Sequence, residues 1–457
     1  MTHLTEQRNT RPWLAVCTWP ELENKGRVLL RHDKYQVVVF LSNKQIYAID
    51  NRCPHEGYPL IQGEINPENC TLTCQWHNWK FDLKSGAAKV GQDSVRTYPT
   101  KIEEGMVWVD LSPPSKVELS KKLLKSLNEA FEKRQYGRLA RELARFHYHR
   151  LDPLEVIKEA IVWSYDRLEY GMGHAYAVTA DWLDLYFNAQ TIDDQLIALT
   201  EALDHMALDS LRQPTFTYSE GTLAYQASDF LAAIESEDQV KAIQLLRGAL
   251  SIGLTFSDLE ASLATAALAH YNDFGHSLIY VLKVNELIQQ LGPEITEPLL
   301  LSLVRSLVYA TREDLLPEFK AYASLLSELK QKIARDGFGL ELIRPDFAGL
   351  QGASVKQAMQ WVVQQRAKYK PEAIYQTLLH ANAHNLLHYD LRFQVSTDNP
   401  VADNVGWLDY THALTFANAV RVTCEKYPDF WPQGLLQLAA FYGRNTGYLD
   451  LNQDVSG

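Results

Sequence analysis

Cys53-Pro54-His55-Glu56-Gly57 is followed, with 18 residues between His55 and Cys74, by Cys74-Gln75-Trp76-His77-Asn78-Trp79-Lys80-Phe81-Asp82. Two cysteines and two histidines in paired C-x-H and C-x-x-H units suit a zinc ion or an iron–sulfur cluster. Zinc knuckles usually space their ligands two to four apart within a pair, and C-x-H is tight for one tetrahedral ion. On either side the chain reads as short strands rich in Val, Ile, Tyr, Trp and Thr. Candidates are Trp13–Thr18, Gly26–Arg31, Tyr35–Leu41, Lys44–Asp50, Thr71–Cys74, Lys80–Asp82 and Met106–Leu111. Residues 11–111 are thus predicted to be an all-β domain, preceded by a polar tail at 1–10. Ser112-Pro113-Pro114-Ser115 reads as a stiff linker.

From Lys116 to Gly457 the period becomes helical. Leu123, Leu124, Leu127 and Phe131 recur at helical spacing. Ser257-x-x-Glu260 has the form of a capping box opening the run from Ala261 to Gly292, which Gly292-Pro293 stops. Pro371 suits a first helical turn. Loops are expected at 212–221, 344–353 and 396–406. The fold class expected is α+β multidomain: a β domain at 11–111, a linker at 112–115, and a mostly α-helical domain at 116–457, open to division into two subdomains.

Composition sets further bounds. The 457 residues are 46% hydrophobic and 22% charged, as in a globular protein. A formal charge of −12 disfavours nucleic acid as a partner. No apolar run approaches the ~18–20 residues of a membrane span. The first twelve residues lack the apolar stretch of a signal peptide, and five cysteines are too few for a disulfide framework. A cytoplasmic location is expected. Lys121–Arg150 carries nine Lys/Arg against three Glu, which suits either a solvated helix face or a dock for an acidic electron donor.

The two cysteine–histidine loops closely resemble those of Rieske proteins. Tyr98-Pro99 and Val107-Trp108-Val109 resemble the closing strands of that domain. The resemblance covers the first quarter of the chain. It implies a [2Fe–2S] cluster with Cys53 and Cys74 on one iron and His55 and His77 on the other. In the cytochrome bc-type members a cysteine in each loop forms a disulfide across the cluster. Tyr58 and Trp76 hold those positions here, so the resemblance is to the ferredoxin and oxygenase branch. Asn78 replaces the glycine usual after the second histidine and is expected to crowd that loop. Cys17, Cys70 and Cys424 read as packing residues.

Oxygenases of that branch continue with a D-x-x-H-x(4)-H iron motif. Asp409-x-x-His412 begins one, but Ala417 stands where the second histidine should be. The helical half has its own pattern, a histidine between small or polar residues: Gly173-His174, Gly275-His276, Ala383-His384 and Thr411-His412. Asp273-x-x-His276 and Asp409-x-x-His412 place a carboxylate and an imidazole on one helix face, as Glu-x-x-His does in di-iron bundles. His380, His384 and His388 form one stripe. A second, non-haem Fe(II) site is drawn from His276, His384, His412, Asp273 and Asp409, with His174 in reserve. Core histidines in an internal structural repeat, or two imidazoles holding a haem, fit the same pattern.

With no Gly-rich phosphate loop, reducing equivalents must come from a separate ferredoxin or reductase. Two functions fit. One is an oxidoreductase whose cluster passes electrons to non-haem iron that activates O₂ toward a small apolar or aromatic substrate. The other is a Rieske electron carrier or redox sensor whose helical domain is a metal-free scaffold for a partner.

Overall fold

The computed structural model describes residues 13–211, 215–395 and 405–452. The expected tail at 1–10, the start of the 212–221 loop and most of the 396–406 loop lie outside the described residues. The chain divides into two compact units within its first long helix, after Lys125.

The first unit holds β1 (Trp13–Thr18), β2 (Arg27–His32), β3 (Tyr35–Ser42), β4 (Gln45–Asp50), β5 (Glu64–Asn66), β6 (Thr71–Thr73), β7 (Lys80–Asp82), β8 (Ala88–Val90), β9 (Thr97–Tyr98), β10 (Thr100–Glu103) and β11 (Met106–Asp110). They form three antiparallel sheets ordered β1-β11-β10, β2-β3-β4-β9 and β5-β6-β7-β8. β3 explains the continuous apolar run Val37-Val38-Val39-Phe40. Val38 and Phe40 enter one core with Leu60, Leu72 and Phe81, while Val37 and Val39 enter a second with Leu22, Val107 and Val109. A strand buried on both faces does not alternate. A short helix, α1 (Trp19–Lys25), interrupts the β domain. Thr18 Oγ1 accepts the Glu21 N–H to open it, and Gly26, at φ +67°, closes it.

The second unit is helical: α2 (Lys116–Glu132, which spans the division), α3 (Tyr136–Tyr148), α4 (Leu154–Ser164), α5 (His174–Asn188), α6 (Ile192–Asp209), α7 (Ala227–Glu235), α8 (Gln239–Ser251), α9 (Phe256–Leu268), α10 (His276–Leu291), α11 (Thr296–Val308), α12 (Ala321–Asp336), α13 (Val355–Gln365), α14 (Pro371–Leu387), α15 (Trp407–Lys426) and α16 (Trp431–Asn445). Every residue of α16 is buried, and α12 to α15 pack around it. Gly443 and Gly434 permit this, since a Cβ there would lie 2.5 Å from the Val355 backbone and 2.6 Å from Val420 Cγ1. None of the described helices is long and apolar enough to cross a membrane.

Two local expectations need correction. The capping box before α9 is Thr255 with Asp258, not Ser257 with Glu260: Thr255 N and Oγ1 both donate to the Asp258 carboxylate. The run from Ala261 to Gly292 is not one helix. It breaks after α9, and Asp273, Phe274 and Gly275 follow one another at φ +50°, +43° and +82° before α10 begins at His276. Asp273 therefore lies off the helix that carries His276. The basic Lys121–Arg150 segment is partly structural: Arg138 is buried against Glu129 at 3.0 Å, and Arg134 and Arg145 pair with Asp204 and Glu142.

Candidate metal centres

The β-domain loops carrying the cysteines share one backbone scheme. Cys53 N–H donates to Tyr58 O and Gly57 N–H to Cys53 O; Cys74 N–H donates to Trp79 O and Asn78 N–H to Cys74 O. Gly57 and Asn78 are the matching left-handed positions, at φ +78° and +58°. Asn78 holds the left-handed conformation that asparagine tolerates better than other side-chain-bearing residues.

The schemes match but the histidines do not: His55 follows its cysteine by two residues, His77 by three. Both imidazoles stay exposed, with their Nδ1 atoms 3.1 Å apart. Cys53 and Cys74 are buried beneath as free thiols, in hydrogen-bond contact with one another. Burial pushes the Cys53 thiol up to about 11, against the His55 and Glu56 amides that donate to its sulfur. A metal would therefore displace a proton on binding.

Each imidazole rests on an indole. Trp79 stacks on His55 at 4.8 Å and Trp76 on His77 at 5.2 Å. Tyr58 and Trp76, at the positions of the absent disulfide, meet edge to face at 5.3 Å. Gly91 makes room for Trp79, for a Cβ there would lie 2.4 Å from the indole. Two buried sulfurs under two exposed nitrogens fit the donor set of a Rieske centre.

In the helical unit α10 packs against both α5 and α15. His174 and His276 are the first residues of α5 and α10, each after a glycine, and His412 lies in the second turn of α15. Their Nε2 atoms converge: 2.9 Å for His276–His412, 3.0 Å for His276–His174 and 3.4 Å for His174–His412. Nδ1 of His276 faces the Asp273 carbonyl and Nδ1 of His412 the Leu408 carbonyl. Protons held there leave the Nε2 lone pairs facing inward. Burial depresses both imidazoles, His276 to about 4, with His412 adding to the effect. Neutral imidazoles are the form that binds metal.

The candidates drawn from sequence separate here. His276 and His412 come together, and the reserve residue His174 joins them. Among the described residues the helical cluster of close ligand atoms holds these three, and His384 lies outside it. His384 stacks on His388 at 4.1 Å and packs on Phe347. Its helix face is filled by aromatic contacts. Asp273 meets the Nδ1 side of His276 at 4.0 Å, away from the convergent Nε2, and burial raises its carboxyl to about 6. Asp409 caps α15 by accepting the Gly406 N–H and pairs with the buried Arg444, whose guanidinium covers Phe274 at 4.5 Å. Among the described residues neither carboxylate belongs to the cluster of convergent ligand atoms. A cavity of about 540 Å³ opens on all three imidazoles. The sequence did mark His174: Gly-His opens both α5 and α10.

A Rieske [2Fe-2S] domain model matches residues 12–99. The 4beta-methylsterol monooxygenase of Methylococcus capsulatus is 33% identical over 82 residues, 16% of this chain and 22% of its own. The carnitine monooxygenase oxygenase subunit of Escherichia coli K12 is 27% identical over 124 residues, 24% of this chain and 33% of its own. The chain thus spans a fifth to a third of these relatives. The ferredoxin of carbazole 1,9a-dioxygenase from Nocardioides aromaticivorans aligns in structure at 24% identity, covering 22% of this chain and 98% of its own, with a TM-score of 0.21. Residues 12–99 are a Rieske [2Fe-2S] domain with an iron–sulfur redox function, and a helical region follows it.

Proposed function

We propose that this protein is a Rieske-type oxidoreductase whose helical unit is a non-haem iron oxygenase. Cys53 and Cys74 hold one iron of the cluster and His55 and His77 the other. His174, His276 and His412 hold a mononuclear Fe(II). The observation that carries this reading is the convergence of three Nε2 atoms within 3.4 Å at the wall of a cavity. When bound, the cluster supplies one-electron transfer and the iron supplies O₂ activation. The protein's own part is to orient. Asp273 and Leu408 carbonyls fix the imidazole tautomers, and the N-terminal ends of α5 and α10 disfavour imidazolium. Aliphatic walls limit water.

A monooxygenation, RH + O₂ + 2 e⁻ + 2 H⁺ giving ROH + H₂O, takes two electrons, so a separate ferredoxin or reductase must dock twice per turnover. Total iron against acid-labile sulfide in anaerobically prepared protein tests this reading. Iron in excess of sulfide, abolished by a His276→Ala, His412→Ala double variant with sulfide unchanged, is expected. A ratio near one removes the second iron and leaves an electron carrier.

A further inference from the structure

The cavity beside the three histidines has a recognisable chemistry. Its walls include Val178, Ile279, Leu282, Leu408 and Leu414. The charged groups at its edge are already matched, with Lys283 Nζ 2.6 Å from Asp181 and 2.7 Å from Glu286. A charged ligand would find no free counter-ion there, whereas a neutral apolar body would gain by desolvation.

One polar group in this wall has no partner. Tyr280, one turn after His276 on α10, is only 4% exposed, and its ring lies 5.5 Å from the His276 ring. Among the described residues nothing hydrogen-bonds its hydroxyl, and unlike the Tyr271 hydroxyl it is not fully enclosed. A phenol that no protein group satisfies, at the wall of an apolar cavity, is left to bond with water or with an acceptor on a ligand.

We propose that this cavity takes a neutral, largely hydrocarbon molecule bearing one hydrogen-bond-accepting oxygen, and that Tyr280 is the residue that selects for it by donating to that oxygen. The binding claim stands on the cavity alone; only the molecule's status as substrate rests on the iron reading above. Tyr280 fixes which end of the ligand lies beside the histidines, and the aliphatic wall carries the rest.

Fluorene and 9-fluorenone, alike but for the carbonyl oxygen, test this on the full chain by fluorescence titration. Fluorenone is expected to bind about tenfold more tightly, the range of one buried hydrogen bond. Tyr280→Phe should bring the two within about twofold by weakening fluorenone alone. Leu408→Trp, at an exposed edge of the cavity, should weaken both. Equal affinities in the parent protein, a preference that survives in Tyr280→Phe, indifference to Leu408→Trp, or no binding of either probe would each overturn the proposal. Iron and sulfide measured on the same samples separate the two readings. A Tyr280-dependent preference without excess iron leaves the cavity proposal and removes the iron; excess iron without the preference does the reverse.

Discussion

His55 and His77, 22 residues apart in sequence, meet with Nδ1 atoms 3.1 Å apart on two tight loops. His276 and His412, 136 residues apart, meet with Nε2 atoms 2.9 Å apart on two helices. In the β domain, backbone hydrogen bonds within six residues of each cysteine set the geometry, so the site travels with its motif. In the helical unit no local segment contains the site. Helix packing and a left-handed turn before α10 bring the imidazoles together. A locally built centre is lost through its ligands, a tertiary one through residues that touch no ligand atom.

The sharpest way to divide the two is Cys74→Ser. Acid-labile sulfide and visible absorption should vanish, while iron on the three histidines persists; loss of both would show the centres to be interdependent. Gly275→Ala reverses the experiment. Its Cβ would lie 2.6 Å from Phe416 at φ +82°, costing about 3 kcal/mol or more. Helical circular dichroism should melt earlier and the non-cluster iron fall, with the cluster spectrum intact.

Asp409→Asn removes a carboxylate that pairs with a buried guanidinium, at a cost of about 2–4 kcal/mol. Urea denaturation should read that loss with iron content nearly unchanged; a stoichiometric loss of iron at full stability would instead make Asp409 a ligand.

Glu313 gives a pH test. It accepts the Phe274 N–H, is 1% exposed, and burial, with Asp273 adding, raises its carboxyl to about 8. The unfolded chain ionises it near 4.5, so between about 4.5 and 8 the folded state holds the extra proton and stability falls as pH rises. Glu313→Gln should remove that loss and gain on the order of 2 kcal/mol over the parent between pH 5 and 8, read from urea midpoints. A constant difference across that range would exclude the titration. The smallest effect is expected in the Cys74 loop of the β domain. Asn78→Gly should shift stability by about 1 kcal/mol or less and leave the cluster spectrum unchanged.

The same contrast governs what could be read in the sequence. β1 and β7 match their expected limits, because β-branched and aromatic residues cluster between turns. β5, β8 and β10, three or four residues each, carry too little pattern to stand out. α1 hides in a β context behind Thr18-Trp19-Pro20. At α9 two overlapping capping signals compete, and Thr255 with Asp258 takes the cap. His384 shares its small-residue surroundings with His174 and His276, and its helix faces Phe347 instead. A histidine's neighbours in sequence do not say what its helix packs against.

Gly91 carries the comparison one step further. It is exposed, 14 residues beyond His77, and a Cβ there would press on the indole that stacks on His55. Drift during evolution should therefore be as restricted at this loop glycine as at a metal-binding position. A survey of tolerated substitutions in the β domain should find its intolerant sites tracing the aromatic plates behind the imidazoles, not the distance along the chain from them.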